Sequence, residues 1–290
     1  MDPRRRPPHL LIDPALPEPI SSVLRASPQA LRAARQGRIP GRRGPDPVKL
    51  IAIAGLLLLM ASLSATGGFI AVLVLLSFSA LRGLSDDPEN RRERRRVRVA
   101  MEHRDRFILP EDLDGDCGDL LRRTQDATES VLASEINRVR LLDTIDNAVT
   151  LPDQAWQIAK KLVRLSEMRA EHNRLVPGAP PPEVAEAFTP YVKALETAEL
   201  SLTRRVRALE EYARQVRRAD GVYRAYQQLQ VLAERTPQYE ALVAETAEDA
   251  LTLPGLEHLT EQAQQVRKLF HESIDEARDA ARHLLTSADS

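Results

Sequence analysis

"LETAELSLTRRVRALEEYARQVRRADGVY", Leu195 to Tyr223, places an apolar residue at every seventh position: Leu195, Leu202, Leu209, Val216 and Tyr223. Seven residues are close to two helical turns, so these side chains share one face of a long helix. Ala198, Tyr212, Ala219 and Tyr226 partly fill a second seam. Downstream, Leu256, Ala263, Phe270, Ala277 and Leu284 repeat the pattern, seconded by Leu259, Val266 and Ala280. Four heptad intervals in each arm reach what a coiled coil needs. Residues 236–266 hold six acids and no Lys or Arg, whereas Arg204, Arg205, Arg207, Arg214, Arg217, Arg218 and Arg224 weight the first arm positively. With Thr236-Pro237 as a tight turn, residues 183–286 form an antiparallel coiled-coil hairpin, and 287–290 trail as a disordered end. The alternative is that Pro237 only kinks one longer helix. Tyr212, Tyr223 and Tyr226 are expected to face the small Ala263, Ala277 and Ala280.

Composition agrees with helices. The 290 residues are 43% hydrophobic but only 4% aromatic, and the part outside one apolar stretch is rich in Ala, Leu, Arg and Glu. A net charge of −1 gives no global attraction to nucleic acid. The single cysteine, Cys117, has no partner for an internal disulfide and fits a reducing compartment, as a small buried residue.

Upstream, "VKLIAIAGLLLLMASLSATGGFIAVLVLLSFSAL", Val48 to Leu81, is thirty-four residues with one charge, Lys49. About eighteen or more such residues signal a transmembrane segment. One straight helix of this length would measure about 51 Å against a hydrocarbon core of about 30 Å. Thr66, Gly67 and Gly68 offer a place to reverse, because glycine readily takes positive φ. Basic residues flank both ends: Arg32, Arg35, Arg38, Arg42 and Arg43 before, then Arg82, Arg91, Arg92, Arg94, Arg95, Arg96 and Arg98 after. Basic flanks prefer the cytoplasmic side, so an even number of passes satisfies both. The expectation is a two-pass plasma-membrane protein with a transmembrane helical hairpin over 48–84 and both termini cytoplasmic. A single pass and a buried soluble helix are the competing readings.

Residues 1–47, with ten prolines and nine arginines, read as a disordered cytoplasmic tail with a weak helix around Ser21–Gln36, interrupted near Pro28. Residues 85–108 read as a basic juxtamembrane helix whose Arg91, Arg92, Arg94, Arg95, Arg96 and Arg98 contact anionic lipid headgroups. Nucleic acid is not expected there, since no aromatic residues are interleaved. Residues 109–178 read as a second helical hairpin. Prolines at Pro110, Pro152, Pro237 and Pro254 mark helix starts, giving helices at about 110–148, 152–175, 183–235, 237–251 and 254–286. Thr150 with Asp153 suggests a capping box at the second of these. Helix 110–148 carries its own series, Leu113, Leu120, Ala127 and Leu141, beside Cys117, Val131 and Ile145. Trp156 is expected to anchor it against helix 152–175.

Motifs that would carry chemistry fail one by one. Asp112, Asp114 and Asp116 match the first three ligands of a calcium loop, but Cys117 stands where glycine is needed and Arg123 where the bidentate glutamate belongs. His9, His103, His172, His258, His271 and His283 are dispersed, with no helical zinc spacing. His271 and Asp275, four apart, suit a surface hydrogen bond. No phosphate-binding glycine loop and no nucleophile elbow occurs. The expectation is therefore no catalytic residue, no cofactor and no metal.

"RFILPEDLDGDCGDLLRRTQDATESVLAS" and "LPDQAWQIAKKLVRLSEMR", with the layout around them, resemble a group of uncharacterised actinobacterial membrane proteins. These share a basic Pro-rich tail, a hydrophobic hairpin and an Arg/Ala/Glu-rich helical domain. The resemblance covers roughly residues 48–175 and implies no activity. Taken together, the chain reads as all-α: a transmembrane helical hairpin followed by a long-helix bundle with an antiparallel coiled coil. Its expected role is a non-enzymatic, membrane-anchored scaffold or regulator that binds a protein partner or its own copies. The alternative role is an accessory subunit of a membrane transport or enzyme complex.

Overall fold

A computed structural model describes residues 7–37, 88–142, 144–178, 181, 184–246 and 259–288. Helix accounts for 83% of it and strand for 2%, so the chain is all-α. It divides into two compact units, one of Met1–Pro14 with Ile108–Ser290 and one of Ala15–Phe107. Two-residue strands β1 (Leu11–Ile12) and β2 (Phe107–Ile108) pair as the one sheet among the described residues.

In the Ala15–Phe107 unit the helix expected around Ser21–Gln36 is present as two, broken just before Pro28, so residues 18–35 are ordered where the tail was expected to be disordered. Helices α1 (Glu18–Arg25) and α2 (Pro28–Arg35) form there, each with a proline in its first turn. A first-turn proline starts a helix rather than breaking one, because its missing N–H has no helical partner there. Each short helix has a narrow apolar stripe, Leu24 on α1 and Ala30, Leu31 and Ala34 on α2, and all are buried. Helix α3 (Pro88–Glu102) packs on both and contributes Val97 and Ala100. The Arg35 guanidinium donates to the Phe107 carbonyl at 3.1 Å and lies 5.1 Å from that ring's centroid. Averaged over 47 residues, proline and arginine content hides these two stripes.

The two-pass plasma-membrane placement is likewise corrected: among the described residues no helix is long and apolar enough to cross a membrane. The stretch 48–84, including Thr66, Gly67 and Gly68, lies outside the described residues.

In the larger unit, helices α4 (Gly115–Leu132), α6 (Thr144–Leu175), α7 (Ala185–Glu234) and α9 (Leu259–Ala288) pack alongside one another, with α7 touching α4, α6 and α9. The short α5 (Glu135–Arg138) leans on α7, and α8 (Thr236–Thr246) follows it. Two apolar clusters sit along α7. One gathers Cys117, Leu120 and Leu121 of α4, Trp156 and Leu162 of α6, and Leu202 and Val206 of α7. The other gathers Val131, Ile136, Leu151, Leu209, Val216, Phe270, Ala277 and Leu284.

The expected helix 110–148 is broken, and the expected start at Pro152 is not a start. Pro110 opens only a 3-10 turn, Pro110–Asp112, and Asp114 caps α4 by accepting from the Cys117 N–H at 2.7 Å. At Ser134 the chain is recapped: its Oγ accepts from the Asn137 N–H at 3.3 Å. Helix α6 begins before Pro152 and runs through it, because Leu151 on one side and Trp156 on the other are each buried in a core cluster. Packing on both sides of the proline outweighs the hydrogen bond it removes.

The turn expected at Thr236-Pro237 is also corrected. Arg235 stays in the right-handed helical region at φ −94° and ψ −3°, and the Tyr239 N–H donates to the Arg235 carbonyl at 3.3 Å. The chain therefore bends between α7 and α8 without reversing. Residues 247–258, which include Pro254 and Leu256, lie outside the described residues.

Candidate interaction surface

Helices α7 and α9 run antiparallel: Arg218 pairs with Glu276 at 2.9 Å, while Tyr223 and Tyr226, further along α7, meet Phe270, earlier on α9. Of the heptad positions, Leu209, Val216, Phe270, Ala277 and Leu284 are buried in one cluster, with Tyr223 packed at its edge. Leu202 is buried in the other cluster, against α4 and α6, and Leu195 packs at its margin. One sequence seam thus serves two sets of partners. Leu256 and the side chain of Ala263 lie outside the described residues. Tyr212 and Ala277 are buried in one cluster, with Tyr223 and Ala280 packed against it. Tyr223 and Tyr226 converge on Phe270, at 5.3 and 6.0 Å between centroids. Aromatic rings gain more from offset stacking on one another than from contact with a methyl group.

Tyr212 instead turns to α6, where its hydroxyl donates to Asn147 Oδ1 at 2.9 Å, and Asn147 Nδ2 donates to Asn137 Oδ1 at 3.2 Å. Burial pushes the Tyr212 phenol up, with the Asn147 hydrogen bond opposing it. Further polar joints tie α7 to its neighbours. Arg123 of α4 makes a two-pronged pair with Glu210, Nε to Oε1 at 2.8 Å and Nη2 to Oε2 at 2.6 Å. The Arg123 hydrogen bonds hold the Glu210 carboxyl below its ordinary range. Asp220, buried on α7, accepts from the Ile136 N–H at 3.0 Å and from Arg224 at 2.7 Å. Arg169 of α6 bridges Asp114 at 3.3 Å and Glu199 at 2.6 Å. Burial raises the Asp114 carboxyl, but hydrogen bonds from Cys117 and Arg169 outweigh it and the net shift is downward.

None of these joints was visible as a motif. Asp220 and Glu210 sit among exposed-face charges in the sequence, and only the approach of α4 and α5 separates them from their neighbours. The acids of "DLDGDCGD" diverge: Asp112 accepts from the Leu109 N–H at 2.9 Å, and Asp114 caps α4. Among the described residues, no group of three or more His, Cys, Asp or Glu is placed to hold a metal ion. Cys117 is fully buried, and loss of solvation pushes its thiol up to about 11. His271 Nδ1 lies 2.7 Å from the Arg267 carbonyl, while Asp275 pairs with Arg278 at 3.7 Å, so the expected His271–Asp275 contact is replaced.

Of the basic stretch on α3, Arg92, Arg95, Arg96 and Arg98 are exposed. Arg94 is half-buried, with Nε and Nη2 shielded and without a hydrogen-bond partner among the described residues. The Arg91 side chain lies outside the described residues.

Beyond the Phe270 contact the character of the α7–α9 end changes. Val231, Leu232, Leu242 and Leu269 are 49%, 44%, 56% and 47% exposed, and Tyr239 is exposed beside them in sequence on α8. Single exposed apolar residues are ordinary, but here five fall at one end of the α7–α9 pair and on the helix that follows. No family model, curated protein or solved structure matches this chain.

Proposed function

We propose that this chain is a non-catalytic helical scaffold or regulator. Its α7–α9 pair acts as an antiparallel coiled coil, and the apolar end of that pair receives a helical protein partner or a second copy. The observation that carries the reading is the exposed set Val231, Leu232, Tyr239, Leu242 and Leu269 beyond the buried seam. A coiled-coil arm with apolar residues left uncovered gains by covering them, at about 25 cal/mol per Å² of apolar surface removed from water. The polar joints support the same role from the other side. They clamp α7 to α4, α5 and α6, giving the projecting end a rigid base, so little order need be gained on docking.

The test is mass measurement of the full chain by light scattering, with native co-purification from cells, for wild type and for Leu232→Glu/Leu242→Glu. Wild type should self-associate or co-purify stoichiometrically with a partner, and the double variant should lose that association at unchanged helicity. An association unaffected by the two glutamates, or a wild type that stays monomeric and alone, would overturn the reading.

A further inference from the structure

A second feature, away from the exposed α7–α9 end, lies where α5 ends. The Leu141 N–H donates to the Ile136 carbonyl at 2.9 Å and the Arg140 N–H to the Asn137 carbonyl at 3.2 Å. This is the six-to-one and five-to-two pairing that closes a helix through a left-handed residue, a position glycine normally takes. Here it is Arg140, at φ 61°. A long side chain in this conformation is uncommon, and such strain concentrates at ligand clamps.

Arg140 lines a cavity of about 510 Å³, together with Arg278 and Arg282 of α9. Buried Leu142, Leu151, Tyr212 and Leu284 lie at its floor. The volume suits a small organic molecule. Arg278 donates to the Leu141 carbonyl at 3.2 Å and faces Asp275, and Arg282 pairs with Asp279. Arg140 makes no ion pair with a described residue. Arg140 thus brings a guanidinium unpaired among the described residues to an apolar floor, and a planar guanidinium fits a carboxylate fork.

We propose that this cavity binds an amphipathic monocarboxylate, its apolar body on the leucine floor and its carboxylate on Arg140. Glycine there would relieve the strain but supply no guanidinium.

Calorimetric titration of the full chain would use three probes: octanoate below its micellar concentration, octan-1-ol and inorganic phosphate. Octanoate should bind saturably, with each of the other two at least about tenfold weaker, since each lacks one half of the recognition. Arg140→Gly should lose about tenfold or more in octanoate affinity without lowering the melting temperature, because glycine is at ease at positive φ. Arg282→Gln, which leaves the turn untouched, should weaken octanoate as well and reads the charge dependence should the glycine variant unfold. Absent octanoate binding, equal binding of octanol, or full affinity in these variants would overturn the assignment.

Discussion

Replacing Asp220 by alanine isolates one polar joint from the hydrophobic seam around it. Asp220 projects from α7 to the start of α5, where its Oδ1 accepts from the Ile136 N–H at 3.0 Å and its Oδ2 from Arg224 at 2.7 Å. The two partners differ in what their loss costs. Ile136 is buried, so its amide would be left without water or an acceptor, a penalty of about 1–3 kcal/mol. The Arg224 side chain is 60% exposed and stays hydrated without its partner, so that contact is worth roughly 0–1 kcal/mol. Asp220→Ala should therefore destabilise the chain by about 1–4 kcal/mol, with most of that lost at the Ile136 amide. At about 2–4 °C per kcal/mol for a unit of this size, the melting temperature should fall by roughly 2–16 °C. Arg224→Ala should cost under about 1 kcal/mol, and Asp220→Asn, which keeps an acceptor oxygen, should recover most of the loss. Thermal and urea unfolding followed by circular dichroism at the helical band would separate the three. If Arg224→Ala cost as much as Asp220→Ala, the stabilisation would lie in the ion pair and the capping argument would be wrong.

Leu209 is fully buried, so Leu209→Ala should cost about 2–5 kcal/mol and Leu209→Asp more, whereas Leu200→Asp, at an exposed position of the same helix, should stay within about 0.5 kcal/mol in the same unfolding assay. Glu210 has a folded pKa below its unfolded value through the Arg123 hydrogen bonds, so its stabilisation is complete above about pH 4.3 and is lost as pH falls through the folded value. Acid titration of stability should accordingly be shallower in Glu210→Gln than in wild type below that pH. Cys117, with its thiol pushed up to about 11, should be roughly a thousandth thiolate at pH 8. Native protein should react with a thiol-disulfide reagent far more slowly than urea-unfolded protein, and immediate stoichiometric labelling would contradict the burial.

What the sequence by itself determined here is helix type and a large part of the buried face. Period-seven spacing needs only one helix to be meaningful, and Leu202, Leu209, Val216, Phe270, Ala277 and Leu284 are all buried. Partner choice is different, because an apolar residue on a helix face states that something covers it and not what. The tertiary structure assigned Leu202 to α4 and α6 and Leu209 to the cluster with α9, splitting one seam between two neighbours. It also overrode local signals where packing outweighed them. Helix α6 passes through Pro152, α7 bends at Arg235 without turning back, and residues 18–35 fold despite a composition that reads as disordered. The polar joints were beyond sequence reasoning altogether. Asp220 and Ile136 are 84 positions apart, Arg123 and Glu210 87, and no local pattern distinguishes a carboxylate facing solvent from one facing a helix end until the helices are packed.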